Sequence, residues 1–253
     1  MNKKIIIFSG GTGGHVIPSI NLGNFLIENG FNCILILDKR GEKYSDSFKG
    51  KKYIISSSHL SGNFFDKIRS IINLSIGFFQ SLYILLKFQS KIYISFGSYA
   101  TLMPLTVAII LKLFSKINIY IHEQNSVVGK VNYIFLPFAK NIFTNFQITK
   151  NIKKQYQKKI VHSGLPISIN LLQNDKKNIK KMNKTYILIY GGSQGSIPLI
   201  EKSLEMLKTL RSELIVNIYV FVQAPKILHD RLNNILIELK LDYEIKEFYN
   251  NFD

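Results

Sequence analysis

Two glycine-rich loops each stand at the end of a short apolar run. Gly10-Gly11-Thr12-Gly13-Gly14-His15 follows Ile5-Ile6-Ile7-Phe8, and Gly191-Gly192-Ser193-Gln194-Gly195 follows Tyr186-Ile187-Leu188-Ile189-Tyr190. A glycine loop between a strand and a helix lets the backbone approach an anion, with the first amides of the helix aimed at it. The chemistry this predicts is phosphate binding, once per loop. His15 adds an imidazole beside the first loop, a group that titrates near neutrality and can take a proton from an attacking hydroxyl. Three further polar clusters follow apolar runs: Phe96-Gly97-Ser98-Tyr99, His122-Glu123-Gln124-Asn125 and His162-Ser163-Gly164-Leu165-Pro166. The first glycine loop lacks the Gly-Lys-Ser/Thr ending of a Walker motif and does not match G-x-G-x-x-G. Asp38, at the end of the second apolar run, is placed like the ribose-binding acid of a dinucleotide fold. It keeps a nicotinamide-dependent oxidoreductase open as an alternative. No grouping has metal-ligand spacing, and His59, His162 and His229 read as structural.

The elements that must position these residues alternate. Strands are predicted at Lys4–Phe8, Asn32–Leu37, Ile92–Ser95, Asn118–Ile121, Asn141–Thr144 and Ile160–His162. Helices are predicted from about Pro18 to Asn29 and at Asp66–Phe88, Met103–Phe114 and Gly129–Phe135. After a polar stretch the rhythm resumes with strand 186–190, helix Pro198–Leu210, strand Ile215–Val222, helix Pro225–Lys240 and strand Tyr243–Glu247. Such alternation predicts an α/β protein of doubly wound parallel sheets. The expected division is an N-terminal domain over 1–169, a linker over 170–184 and a partial second domain over 185–253. The second series is short and stops in mid-rhythm at Phe252-Asp253, so the expectation is a C-terminally truncated chain with one sheet face uncovered. In open parallel sheets ligands sit beyond the carboxyl ends of the strands, where every polar cluster lies. If the two loop-bearing edges face each other, they form a cleft.

Composition allows a real core: of 253 residues, 46% are hydrophobic and 19% charged. Lys and Arg number 33 against 16 Asp and Glu, a formal net charge of +17 that favours anionic partners. Only four of the basic residues are arginine, and Ile and Asn abound, so AT-rich codon usage accounts for part of the lysine. No arginine cluster, zinc-finger spacing or basic-aromatic motif points to nucleic acid. Cys33, the single cysteine, sits in an apolar run as a core residue. The start shows no signal peptide, which predicts cytoplasmic synthesis. Ile68–Phe88 is borderline for a membrane span. Flanked by Lys67, Arg69 and Lys87, it reads better as a core helix with an apolar patch at an anionic membrane surface.

Taken together, GGTGGHVIPS at 10–19, SFGSYATLMP at 95–104, HEQNSVVGKVN at 122–132, SGLPIS at 163–168 and GGSQGS at 191–196 resemble the MurG family of peptidoglycan glycosyltransferases, glycosyltransferase family 28. The resemblance covers nearly the whole chain. It implies a GT-B fold, two Rossmann-like domains facing a cleft. It also implies inverting transfer of N-acetylglucosamine from UDP-N-acetylglucosamine to lipid I, giving lipid II at the inner face of the cytoplasmic membrane with no cofactor. By resemblance, Thr12, Gly13 and Gly14 contact donor or acceptor near the reacting sugar, Asn125 the donor sugar, and Ser193, with Gln194 beside it, a phosphate of UDP. Tyr249 falls where the family packs a backbone contact against uracil. Tyr99 is a candidate for lining the acceptor site, and His15 for general base. Ser168 stands where the family usually has an arginine that grips the donor phosphates. The family's later segment, with an acid for the ribose and a glutamine near the sugar, is not in the sequence. Each missing partner of a buried polar ligand group costs about 1–3 kcal/mol, so the chain by itself is expected to be inactive or nearly so. The remaining alternative is a non-catalytic half-enzyme that binds lipid I or a partner.

Overall fold

The computed structural model describes residues 3–59, 62–168, 184–192, 196–209, 217–247 and 249. The chain divides into two compact units, Met1–Leu172 and Gln173–Asp253. The expected linker lies outside the described residues apart from Lys184.

The first unit carries strands β1 (Lys4–Phe8), β2 (Asn32–Asp38), β3 (Lys51–Ile55), β4 (Ile92–Ser95), β5 (Asn118–Glu123), β6 (Asn141–Thr144) and β7 (Ile160–His162). They form one parallel sheet in the order β3-β2-β1-β4-β5-β6-β7. Its helices are α1 (Gly13–Glu28), α2 (Lys39–Glu42), α3 (Phe64–Phe88), α4 (Leu102–Lys112) and α5 (Lys130–Phe135). Alternation along β1 and β2 serves two cores. Ile5, Ile7, Cys33 and Leu35 pack with Val16 and Ile20 of α1. Ile6, Phe8, Ile34 and Ile36 pack with Leu85 of α3, Leu105 of α4 and Phe135 of α5. A strand buried on both faces must read as a continuous apolar run, as β1 does. The chain winds outward from β1 through β2 to β3 and returns to β4 on the other side of β1. That reversal opens a crevice at the carboxyl ends of β1 and β4.

Two boundaries differ from expectation. Helix α1 starts at Gly13, with Thr12 as its N-cap, and Pro18 lies inside it. The proline removes one bond to the carbonyl of Gly14. Gly14 is exposed, so that carbonyl can turn to water. Strand β3 was not anticipated, because Lys51-Lys52-Tyr53-Ile54-Ile55 buries only Ile55 fully. It is the edge strand, where lysines discourage pairing with another chain.

Helix α3 opens with a capping box: Asn63 Oδ1 accepts from the Asp66 amide at 2.9 Å, and Asp66 Oδ2 accepts from the Asn63 amide at 3.1 Å. Ser70, Leu74, Gly77, Ser81, Ile84 and Leu85 form its buried face. Gly77 lets the helix close on the chain after β3, since a Cβ there would overlap the Ser56 carbonyl oxygen.

The second unit holds β8 (Thr185–Tyr190), β9 (Ile218–Gln223) and β10 (Asp242–Lys246), parallel in the order β10-β9-β8, with α6 (Ile197–Lys208) and α7 (His229–Glu238). Both helices pack on one face: Ile200, Leu204, Leu232 and Leu236 meet Ile189, Val220 and Val222. On the other face Tyr186, Tyr219 and Phe221 cluster, and Tyr249 sets its ring edge-on to Phe221.

Candidate active site

At the carboxyl ends of β1, β4 and β5 the first unit encloses a cavity of about 410 Å³. Thr12 and His15 come from the first glycine loop and the start of α1, Tyr99 from the loop after β4, Glu123 and Asn125 from the end of β5. Gly13 and Gly14 form the first turn of α1 without lining the cavity; as first-turn residues their amides have no carbonyl four residues back in the helix. The Gly11 amide is already engaged, donating to Asp38 Oδ1 at 2.8 Å. Gly10, at φ +150°, has no room for a side chain: a Cβ would lie 2.5 Å from that of Ala100 and 2.7 Å from Asp38 Oδ1.

Hydrogen positions around His15 follow from its partners. Nδ1 lies 2.9 Å from the Phe96 carbonyl and 2.8 Å from Gln124 Oε1. A carbonyl only accepts, so Nδ1 carries the hydrogen. Nε2 then carries the lone pair of the neutral ring and has no protein partner among the described residues. Behind Gln124 lies His122, 3% exposed and stacked on Phe96 with centroids 5.0 Å apart. His122 Nε2 donates to the Gly164 carbonyl at 3.0 Å, which leaves Nδ1 to accept from Gln124 Nε2 at 3.1 Å. Burial holds His122 below the ordinary histidine pKa, with the Gly164 hydrogen bond and the Glu123 charge acting the other way.

Glu123 is 1% exposed and shapes the next loop. Oε1 accepts from the Asn125 amide and from Asn125 Nδ2, both at 3.0 Å. Oε2 accepts from the Gly129 amide at 3.0 Å and from Asn132 Nδ2 at 2.8 Å. Asn125 is thereby held at the cavity wall with its Oδ1 left over.

The sequence reading missed the opposite wall. Arg40 and His59 line the cavity, and His59, read as structural, lies against Tyr99 with ring centroids 3.8 Å apart and the planes tilted by 45°. Arg40 Nη1 donates to His59 Nε2 at 3.0 Å. Burial and the Arg40 charge lower the His59 pKa, opposed by Asp38. Arg40 could have been noticed as a rare arginine two residues past a strand end; nothing in sequence ties His59 to it. Asp38 itself is 2% exposed and spoken for. Beyond Gly11, its oxygens accept from the Gly41 amide at 3.1 Å, Arg40 Nε at 2.8 Å and Ser57 Oγ at 3.0 Å. No face remains to receive a ribose, which removes the residue on which the oxidoreductase alternative rested.

In the second unit, Ser193 and Gln194 lie outside the described residues. Gln223, at the end of β9, ties the neighbouring backbone together, donating to the carbonyls of Gly192 at 3.2 Å and Glu247 at 3.1 Å. Tyr249 donates its hydroxyl to the Glu244 carbonyl at 3.0 Å, and burial pushes its pKa up to about 12.

The profile of the glycosyltransferase family 28 N-terminal domain matches residues 5–144, the segment that supplies every residue lining the cavity. A curated relative from Rickettsia felis is 34% identical over 98% of this chain and 69% of its own length. Its name is UDP-N-acetylglucosamine–N-acetylmuramyl-(pentapeptide) pyrophosphoryl-undecaprenol N-acetylglucosamine transferase. The chain belongs to the MurG family of glycosyltransferases. A crystal structure of MurG from Acinetobacter baumannii shares the fold, with a TM-score of 0.64 at 20% identity over 99% of this chain and 69% of that one. So does a UDP-GlcNAc 2-epimerase from Neisseria meningitidis bound to UDP-GlcNAc, with a TM-score of 0.61 at 14% identity over 97% of this chain and 73% of that one. The MurG-family fold is thus α/β with parallel sheets of seven and three described strands.

Proposed function

We propose that the chain transfers N-acetylglucosamine from UDP-N-acetylglucosamine to lipid I, the undecaprenyl-diphospho-N-acetylmuramyl-pentapeptide, and releases lipid II and UDP. The observation that carries this reading is the cavity beside α1, in which the lone pair of His15 Nε2 is left uncommitted. The acceptor hydroxyl gives its proton to that nitrogen as its oxygen bonds the anomeric carbon. The bond from that carbon to the phosphate oxygen breaks, and UDP leaves with the electron pair, inverting the centre. Thr12, Gly13 and Gly14 bind near the reacting sugar, where the free first-turn amides meet developing negative charge. Asn125 offers its Oδ1 to the donor sugar, and Tyr99, braced by His59, lines the acceptor side. The first unit is then the acceptor side. The second unit, from 185 onward, holds UDP through Ser193 and Gln194, with Tyr249 presenting backbone to the uracil.

Lipid I sits in a membrane, and the proposal places the chain on the anionic cytoplasmic face, attached through the exposed side of α3 without spanning. Nucleic acid is not among the proposed partners. The test is transfer of labelled N-acetylglucosamine from UDP-N-acetylglucosamine to a soluble lipid I analogue, beside direct binding of each substrate. Labelled disaccharide product, even at a low rate, that disappears in His15→Ala supports the reading. Binding of the analogue without any transfer favours the non-catalytic half-enzyme, and binding of neither substrate overturns the proposal.

A further inference from the structure

Four groups from α1, the end of β5 and the turn after β7 form one unbroken hydrogen-bonded chain. It runs from the Gly164 carbonyl through His122 and Gln124 to His15. Both ends are pinned by carbonyls, Gly164 at one and Phe96 at the other, and a carbonyl accepts only. From the Gly164 end, His122 must be protonated at Nε2 and bare at Nδ1. Gln124 must then turn its Nε2 to that lone pair, where it also reaches the His122 carbonyl at 2.9 Å. Its Oε1 is left to face His15 and requires a hydrogen on Nδ1. From the Phe96 end the requirement on His15 is the same. Only one set of hydrogen positions satisfies every member.

We infer that Gln124 and His122 are positioning residues that hold His15 in the tautomer whose Nε2 is free to act as base. A carboxylate in the place of Gln124 would orient the ring equally well, as in serine-protease triads. It would also draw a proton onto the base. The amide orients without adding charge, in a cavity that Arg40 and Lys130 already line. Burial of His122 at 3% and Gln124 at 8% exposure keeps water from substituting for either partner. Once His15 has accepted the hydroxyl proton, its Nδ1–H bond to Oε1 becomes charge-assisted and strengthens.

The inference rests on reading His15 as the base, but its primary test needs no substrate. Long-range proton–nitrogen correlation on the chain labelled with ¹⁵N-histidine reports the tautomer of each ring. The signals of the five histidines are assigned by single substitutions. The expected result is one tautomer each, His15 protonated on Nδ1 and His122 on Nε2. His122→Phe keeps the stack on Phe96 but removes the lone pair that orients Gln124. Only the backbone carbonyls of His122 and Phe96 then oppose a turn of the amide, and a second tautomer of His15, read as shifted nitrogen signals, should appear although residue 122 does not touch it. Gln124→Met carries the same test if His122→Phe does not fold, while Gln124→Glu should keep His15 protonated on Nδ1 and drive His122 to the doubly protonated form. In the transfer assay His122→Phe should lower kcat at least about tenfold with KM for the donor unchanged. The upper bound is the roughly 10⁴-fold that a wrong tautomer costs in a protease triad. His15 protonated on Nε2 in the unaltered chain overturns the inference. So do His15 nitrogen signals that stay put in the folded His122→Phe and Gln124→Met variants. The expected tautomers without any transfer would leave the relay standing and count against the transferase reading alone.

Discussion

Glu123 shows at the scale of one residue why the site depends on carboxylate symmetry. Each of its oxygens accepts two N–H donors, so an amide in its place must point its NH2 at a pair of donors whichever way it turns. Glu123→Gln is therefore expected to lower unfolding free energy by about 1–3 kcal/mol for each buried donor left orphaned. It should also raise KM for the donor sugar as Asn125 loosens; urea titration and initial rates check both. Asp38 makes a pH-dependent version of the same argument. Burial tends to raise its pKa, but the Gly11 amide, Arg40 and Ser57 together bring it below the ordinary value. A depressed folded pKa means the stabilisation is complete above the unfolded value of about 3.9 and is lost as pH falls through the folded one. Asp38→Asn should thus be clearly less stable than the unaltered chain at pH 7, and the gap should narrow steadily below about pH 4. A gap that stays constant from pH 7 to pH 3 would contradict this. In sequence, the glycines, His15 and the His122–Asn125 cluster were legible, because strand ends gather such residues. The hydrogen bonds between them were not. Gln124 meets His15 from 109 positions away, and the pairing of Arg40 with His59 depends on where the chain returns after β3.

At the scale of elements, Gly77 sets how closely α3 approaches the sheet. Alanine in a helix interior is worth about 1 kcal/mol over glycine, and taken alone that would stabilise. Against it, the new Cβ would overlap the Ser56 carbonyl, a backbone atom that cannot swing aside like the end of a side chain. Overpacking typically costs about 1–3 kcal/mol, so the clash should win. Gly77→Ala is expected to lower the urea midpoint without changing the slope, and a raised midpoint would show that the helix can back away freely. The element pattern separates what was readable from what was not. Strands β1 and β2, buried on both faces, announce themselves as apolar runs. Strand β3 does not, since its position at the sheet edge lets lysines stand where a central strand needs apolar side chains. The start of α1 was misjudged by taking Pro18 as a first-turn marker. The loop glycines themselves already adopt the helix, which brings His15 within reach of Phe96 and Gln124.

Among the described residues of the whole molecule, exposed apolar side chains gather on α3. The helix is long and apolar enough to cross a membrane. Leu74, Ile84 and Leu85 are nevertheless buried core residues of the first unit, and withdrawing them would strip one face of the sheet. Its other side is open: Phe64 is 72% and Phe65 78% exposed, and Ile71, Ile72 and Phe79 further along the helix are exposed too. An apolar hollow of about 370 Å³, lined by Ile71, Leu74, Ser75, Phe78, Phe79 and Met103, opens where α3 meets α4. Exposed Lys67 and Arg69 lie in the same first turns of α3, offset in part by Asp66 in its capping box. Burying a phenylalanine side chain is worth about 1.5–3 kcal/mol, and a basic residue near an anionic surface about 1 kcal/mol. Insertion of the two aromatics should therefore outweigh the two charges. Replacing both, Phe64→Ser with Phe65→Ser, is expected to weaken binding to vesicles containing anionic lipid by 100-fold or more, read by co-sedimentation. Raising salt from 0.1 to 0.5 M should weaken the unaltered chain less, because screening removes only the charge contribution. The same proportional salt effect should persist in the double variant. If salt alone released the chain fully while the phenylalanine changes did nothing, its net charge of +17, and not α3, would be what the membrane holds.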